Sequence, residues 1–179
     1  GFRKSIDPVR SAKLPPYRFL WETPIYISPH DSKVIYLGTQ VLLRSTDRGD
    51  SWKEISPDLS TNPADRIMAE SEGGVPGGIP WFAISTISES PVTAGVIWAG
   101  TSDGKVQVTR NTGASWFDAT PKLTAAGARE DAYVSRVQAS AHVAGRAYVS
   151  KSGYKFDDFK PYLYRTDDYG ATWRSIVGN

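Results

Sequence analysis

The chain has 179 residues, 21 Lys+Arg against 19 Asp+Glu, and a formal net charge of +2 with both signs interspersed. No Lys/Arg run of the kind that follows a phosphate backbone breaks this balance, so no nucleic-acid partner is expected. The absence of Cys and the presence of only two His exclude disulfides and thiolate metal centres, and no apolar window approaches the ~20 residues of a membrane span.

Residues 1–20 carry Pro8, Pro15 and Pro16 among scattered charges and read as an extended N-terminal arm. A first unit, residues 21–60, holds short β-type runs at 24–27, 34–39, 41–44 and 52–55, separated by turn residues. Residues 61–80 are a Gly/Pro-rich connector, which lacks the Lys-Ser/Thr and following helix of a phosphate-binding loop. The second unit, residues 81–121, repeats the pattern with runs at 81–87, 96–101 and 106–110. After a second connector, residues 122–132, the third unit spans 133–179 with runs at 133–137 and 146–150. Its residues 151–160 form a long loop where the first unit has only Thr39-Gln40. No amphipathic helix of ordinary length is expected.

Each unit contains one copy of an eight-residue box, Ser/Thr-x-Asp/Asn-x-Gly-x-Ser/Thr-Trp. The copies run from Ser45 to Trp52, Thr109 to Trp116 and Thr166 to Trp173, with the tryptophans 64 and 57 residues apart. Gly49, Gly113 and Gly170 take positive φ without steric cost. Asp47, Asn111 and Asp168 are placed to hydrogen-bond the turn backbone. Trp52, Trp116 and Trp173 open the return strand as apolar plugs whose N–H needs one partner. Each box is therefore a hairpin turn, and each unit a set of four short strands. The expected fold is all-β: three consecutive four-stranded antiparallel blades of a β-propeller, incomplete as a ring. Either this is a piece of a longer protein or several copies close a ring together; the start at Gly1 without Met favours the first.

The boxes resemble Asp-box (BNR) repeats, found in sialidases, some xyloglucanases and sortilin-type propeller receptors. The runs Ile27-Ser28-Pro29-His30-Asp31, Ile55-Ser56-Pro57-Asp58-Leu59, Val106-Gln107-Val108-Thr109-Arg110 and Asp157-Asp158-Phe159-Lys160-Pro161-Tyr162 look most like bacterial sortilin-like proteins, often described as BNR-repeat glycosyl hydrolases. The likeness covers about residues 21–179. It implies a secreted or periplasmic protein whose ligand is a glycan or a peptide. The remaining blades, or other copies of the chain, are its expected structural partners.

Candidate binding residues come from two features. Trp21, Trp81 and Tyr133 lie at one matched place, six residues ahead of Ile27, Ile87 and Ala139, where they either line the channel rim or wedge between blades. Tyr154, Phe156, Asp157 and Asp158 belong to the long loop of the third unit, which either recognises a ligand or covers a neighbouring blade. A catalytic set is not resolved. The carboxylates of connecting loops are Asp58, Asp65, Glu70 and Glu72 in the first connector region, Glu130 and Asp131 in the second, and Asp103, Asp157 and Asp158 between second and third strands; no pair stands out. Gly1-Phe2-Arg3-Lys4-Ser5 keeps two residues of the Phe/Tyr-Arg-Ile-Pro motif of sialidases and lacks its Ile-Pro. Arg44 and Arg165 hold equivalent places just before their boxes. His30 and His142 sit at equivalent turns on separate units, so neither a metal nor a cofactor is expected. The leading expectation is a non-catalytic binding or scaffold segment. The alternatives are part of a glycoside hydrolase, with its carboxylates shared with further blades, and a self-assembling lectin-like module.

Overall fold

A computed structural model describes residues 4–9, 14, 16–71 and 82–178. It contains three antiparallel sheets of four strands, each in sequence order. The first is β1 (Ile25–Ile27), β2 (Ile35–Gly38), β3 (Leu42–Ser45) and β4 (Lys53–Glu54). The second is β5 (Ile84–Glu89), β6 (Ile97–Thr101), β7 (Val106–Thr109) and β8 (Phe117–Asp118). The third is β9 (Tyr133–Ala139), β10 (Ala147–Gly153), β11 (Asp158–Thr166) and β12 (Arg174–Ser175). Two short helices join sheets: α1 (Ala64–Ser71) after the first and α2 (Thr120–Ala125) after the second. Both begin beside a proline, Pro63 and Pro121, whose fixed φ suits a first helical turn.

The sheets pack face to face through their alternating strand residues. Tyr36 and Leu42 from the first, with Leu59 from the segment after it, meet Ile84, Ile87, Ile97 and Ala99 from the second. On the other face of the second sheet, Trp98, Val106 and Val108 meet Val134, Val137, Ala147 and Val149 of the third. The first strand of each sheet lies against the first two strands of the sheet before it: β5 against β1 and β2, and β9 against β5 and β6. Glycine permits this approach, since a Cβ on Gly38 would stand 2.8 Å from Ile84 Cγ2 and one on Gly100 2.4 Å from Val134 Cγ1. β1, β5 and β9 thus gather on one side, as the inner strands of consecutive propeller blades do.

The boxes form the turns between third and fourth strands. In the first, Ser51 N and Oγ donate to the Asp47 carboxylate at 2.9 and 2.6 Å, and Gly49 N donates to Ser45 Oγ at 2.7 Å. The third copy repeats these bonds with Thr172, Asp168, Gly170 and Thr166, within 0.2 Å. In the second, Asn111 Nδ2 instead donates to Ser115 Oγ at 2.9 Å. Not only the glycines but also Arg48, Thr112 and Tyr169 before them have positive φ, between 56° and 62°. Two of the three tryptophan N–H groups find carbonyls: Trp52 donates to Ile6 at 2.8 Å and Trp116 to Ile55 at 2.9 Å. Trp173 Nε1 is buried without a partner, and its ring instead meets Trp98 edge-on at 6.0 Å.

Candidate functional site

At the end of the bundle where β1, β5 and β9 begin, the connecting loops leave a cleft made of two adjoining hollows of about 260 and 310 Å³. Ser102, Tyr133 and Lys155 line both. Trp21, Glu22 and Tyr154 complete one side. Arg66, Phe82, Asp103, Asp131 and Phe156 belong to the other. The walls therefore come from the segment before β1, the segment before β5, the loop after β6, the start of β9 and the short turn 154–157 between β10 and β11. The long loop expected over residues 151–160 is mostly strand, because β10 and β11 extend through it as a hairpin.

Several devices hold these walls. Arg18 bridges the first two sheets: its Nε donates to the Phe82 carbonyl at 3.0 Å and its Nη2 to Asp58 at 2.7 Å. Phe82 takes φ +68°, a left-handed conformation that costs a residue with a Cβ about 1 kcal/mol or more. That backbone is tied by Phe82 N donating to Ser102 Oγ at 3.0 Å. Asp103 accepts from Thr61 N and Oγ1 at 2.7 and 2.6 Å, which leaves its other carboxyl oxygen buried without a partner. Asp131 accepts from Arg129 Nε at 2.7 Å, while the Arg129 guanidinium lies 4.1 Å from the Phe156 ring centre. Under the floor, the buried Lys151 ammonium donates to the carbonyls of Gly104 at 3.1 Å and Glu130 at 2.8 Å, and also to that of Arg129.

The ionisable groups are displaced in ways their surroundings explain. Burial raises the Tyr133 phenol, helped by the charge of Glu22. Desolvation lowers the Lys155 ammonium and brings Lys151 down to about 8, against the opposing pull of Asp131, Glu130 and Asp103. Asp158 is lowered by the Tyr162 hydroxyl, which donates to it at 2.6 Å. Every displaced carboxyl among the described residues (Asp47, Asp158, Asp167 and Asp168) moves down.

Trp21, Tyr133, Tyr154 and Phe156, picked out by matched spacing and loop composition, line this cleft, with Trp21 77% and Tyr154 58% exposed. Trp81 lies outside the described residues, as do Glu72 and Gly1-Phe2-Arg3; its neighbour Phe82 is a wall of the cleft. Asp157 is the left-handed residue that ends the Tyr154–Phe156 turn, at φ +54°, and Asp158 opens β11 and accepts from Lys160 N and the Tyr162 hydroxyl of the same strand; neither lines the hollows. His30 Nε2 donates to the Ser90 carbonyl at 2.8 Å, across the first two sheets. The His142 backbone N bonds Ser140 Oγ in the equivalent turn of the third. Sequence reasoning did not single out Arg66, Phe82, Ser102 or Lys155 as site residues. Only Lys155 carried a signal, its place in the inserted loop; the others reach the cleft through the path of the connectors.

Three consecutive four-stranded blades with their first strands gathered define the chain as part of a β-propeller. Among solved structures it is similar to the GH74 xyloglucanase of Xanthomonas campestris, with TM-score 0.55 and 21% identity over 86% of this chain and 22% of that one. It is also similar to YCF48 from Cyanidioschyzon merolae, with TM-score 0.53 and 16% identity over 90% of this chain and 42% of that one. A structure of YCF48 bound to D1 peptide gives TM-score 0.52 and 16% identity over 98% and 47%. The chain thus spans less than half the length of each, and the likeness is one of fold. No protein-family profile and no curated protein matches the sequence. No helix among the described residues is long and apolar enough to cross a membrane.

Proposed function

We propose that this chain is a non-catalytic binding segment of a secreted or periplasmic Asp-box propeller of the sortilin-like kind, and that its cleft takes an extended peptide. The observation that carries this reading is the composition of the cleft. Exposed aromatic faces at Trp21 and Tyr154 stand beside both signs of charge, Lys155 and Arg66 with Glu22 and Asp131. Aromatic platforms cover apolar side chains with little loss of rotamer freedom, and charges of both signs match the mixed groups of a peptide. That one structural neighbour is a peptide complex adds support at the level of the fold.

Titration calorimetry with a peptide library and with oligosaccharides tests the proposal. Trp21→Ala is expected to weaken peptide binding about tenfold, the loss of one stacking surface, while leaving the unfolding midpoint unchanged. A second reading, a glycan ligand, rests on the same exposed Trp21, since sugar rings also stack on indole. Saturable binding of oligosaccharide with no peptide binding would replace the first reading by the second. Release of reducing ends from polysaccharide would overturn both in favour of a glycoside hydrolase.

A further inference from the structure

The segment ahead of the first sheet occupies a place that recurs at every box. Trp52 Nε1 donates to the Ile6 carbonyl at 2.8 Å as Trp116 Nε1 does to that of Ile55 at 2.9 Å. A Cβ on Gly49 would stand 2.8 Å from Ile6 Cβ, one on Gly113 2.9 Å from Ile55 Cβ, and one on Gly170 2.8 Å from Ala119 Cβ. Ile55 and Ala119 are the residues that directly follow the outer strands β4 and β8. The sequence repeats the correspondence: Ile6-Asp7-Pro8 matches Ile55-Ser56-Pro57 and Ala119-Thr120-Pro121, and Lys4-Ser5-Ile6 matches Arg174-Ser175-Ile176. Yet Lys4 and Ser5 belong to no sheet among the described residues; Lys4 is held by an ion pair with Asp50.

The face of the first sheet beside this segment is unevenly covered. Tyr17 packs over Leu37, Val41 and Leu43 at its outer part. At its inner part Ile25 and Ile27 are 61% and 59% exposed. By register, Ile25 opposite Leu37 corresponds to Ile87 opposite Ala99 and to Val137 opposite Val149. Ile27 likewise corresponds to Glu89 and Ala139. All four counterparts are at most 6% exposed, each covered by the preceding sheet.

We propose that Lys4, Ser5 and Ile6 are the outer strand of a further blade, whose other three strands lie outside residues 4–178, and that this blade packs over Ile25 and Ile27. The partner is a three-stranded antiparallel unit with one unpaired edge and an apolar face. It supplies the backbone ladder to residues 4 and 5 and covers the two isoleucines. A second copy of the chain does not fit this place. Its third sheet already carries Arg174 and Ser175 as outer strand, followed by Ile176, and would have to expel Ile6 from the Trp52 box.

The test joins residues 1–116 directly to residues 4–178, so that Lys4 follows Trp116 where Phe117 does in the native chain. The apolar face of the duplicated second sheet, with Trp98 and Val108, then meets the following Ile25 and Ile27. Hydrogen exchange of the amides of the second Lys4-Ser5-Ile6 is expected to slow about tenfold or more relative to the unmodified chain. A control with one glycine inserted after Trp116 reverses which face each strand residue presents and is expected to lose that protection. Equal exchange in the two joined proteins would overturn the proposal. Self-association of the unmodified chain by light scattering, with residues 4–9 released to exchange, would also overturn it by placing a second copy there.

Discussion

The smallest unit that decides this structure is the acidic residue of each box. Asp47 accepts from Ser51 through both side chain and backbone and from Ser45, and these bonds hold its carboxyl down to about 2. At Asp168 desolvation pulls upward and is outweighed by the bonds from Thr172 and Thr166. A carboxyl lowered on folding stabilises the native state above its ordinary pKa, 3.8 here, and that contribution disappears as the pH falls through the lowered value. The second box shows that an amide closes the same turn, with Asn111 Oδ1 accepting from Ser115 N at 2.9 Å. Asp47→Asn is therefore expected to leave the fold intact and to flatten the loss of stability between pH 4 and pH 2. Denaturant midpoints of variant and wild type across that range measure it, and parallel curves would show that Asp47 does not report on folding.

At the scale of elements, each box fastens one sheet to the element before it. Trp116 reaches from the second sheet to the Ile55 carbonyl at the end of the first, and Gly113 leaves no room for a Cβ beside that carbonyl, which would lie 2.1 Å away. The third sheet makes the same approach through Gly170 and Ala119, but the Trp173 N–H is unpartnered. The two tryptophans thus share a sequence and differ in bonding. Trp116→Phe, which strands the Ile55 carbonyl, is expected to cost about 1–2 kcal/mol more than Trp173→Phe, measured by chemical unfolding. Equal costs would mean that the tryptophans act by packing alone. This difference was not legible in the boxes, because the partner carbonyl lies 61 residues away in sequence and depends on how the sheets meet.

Across the whole molecule, coherence rests on groups that cross between sheets. Lys151 of β10 donates to carbonyls of the β6–β7 turn and of the second connector, tying the third sheet to the wall that carries Asp131. Burial lowers its ammonium to about 8 from the ordinary 10.5. With the folded value below the unfolded one, the unfolded chain holds the proton more tightly, so stability rises as pH climbs from 8 towards 10.5. Lys151→Met keeps the stem but removes the donors, and is expected to cost about 2–4 kcal/mol at neutral pH. The gap between wild type and variant should widen from pH 8 to pH 10 in thermal or urea unfolding; a constant gap would show that Lys151 does not titrate in that window. The cleft stands on the same cross-connections, with Arg18 and the Thr61–Asp103 bonds locking the first sheet to the second.

The all-β fold, the four short strands of each sheet and the sites of the hairpin turns were readable in the sequence, since each follows from short-range chemistry. Alternation, Gly at positive φ and an Asx or hydroxyl side chain closing a turn act within eight residues. Trp21, Tyr133, Tyr154 and Phe156 could be picked out by their matched spacing or their inserted loop, though not shown to meet. Their convergence, the arrival of Phe82 and Arg66 beside them, the short helices within connectors and the seating of Ile6 against Trp52 were decided by tertiary structure alone. Each depends on how closely one sheet approaches the next, a distance set by packing between residues tens of positions apart, which local pattern does not encode.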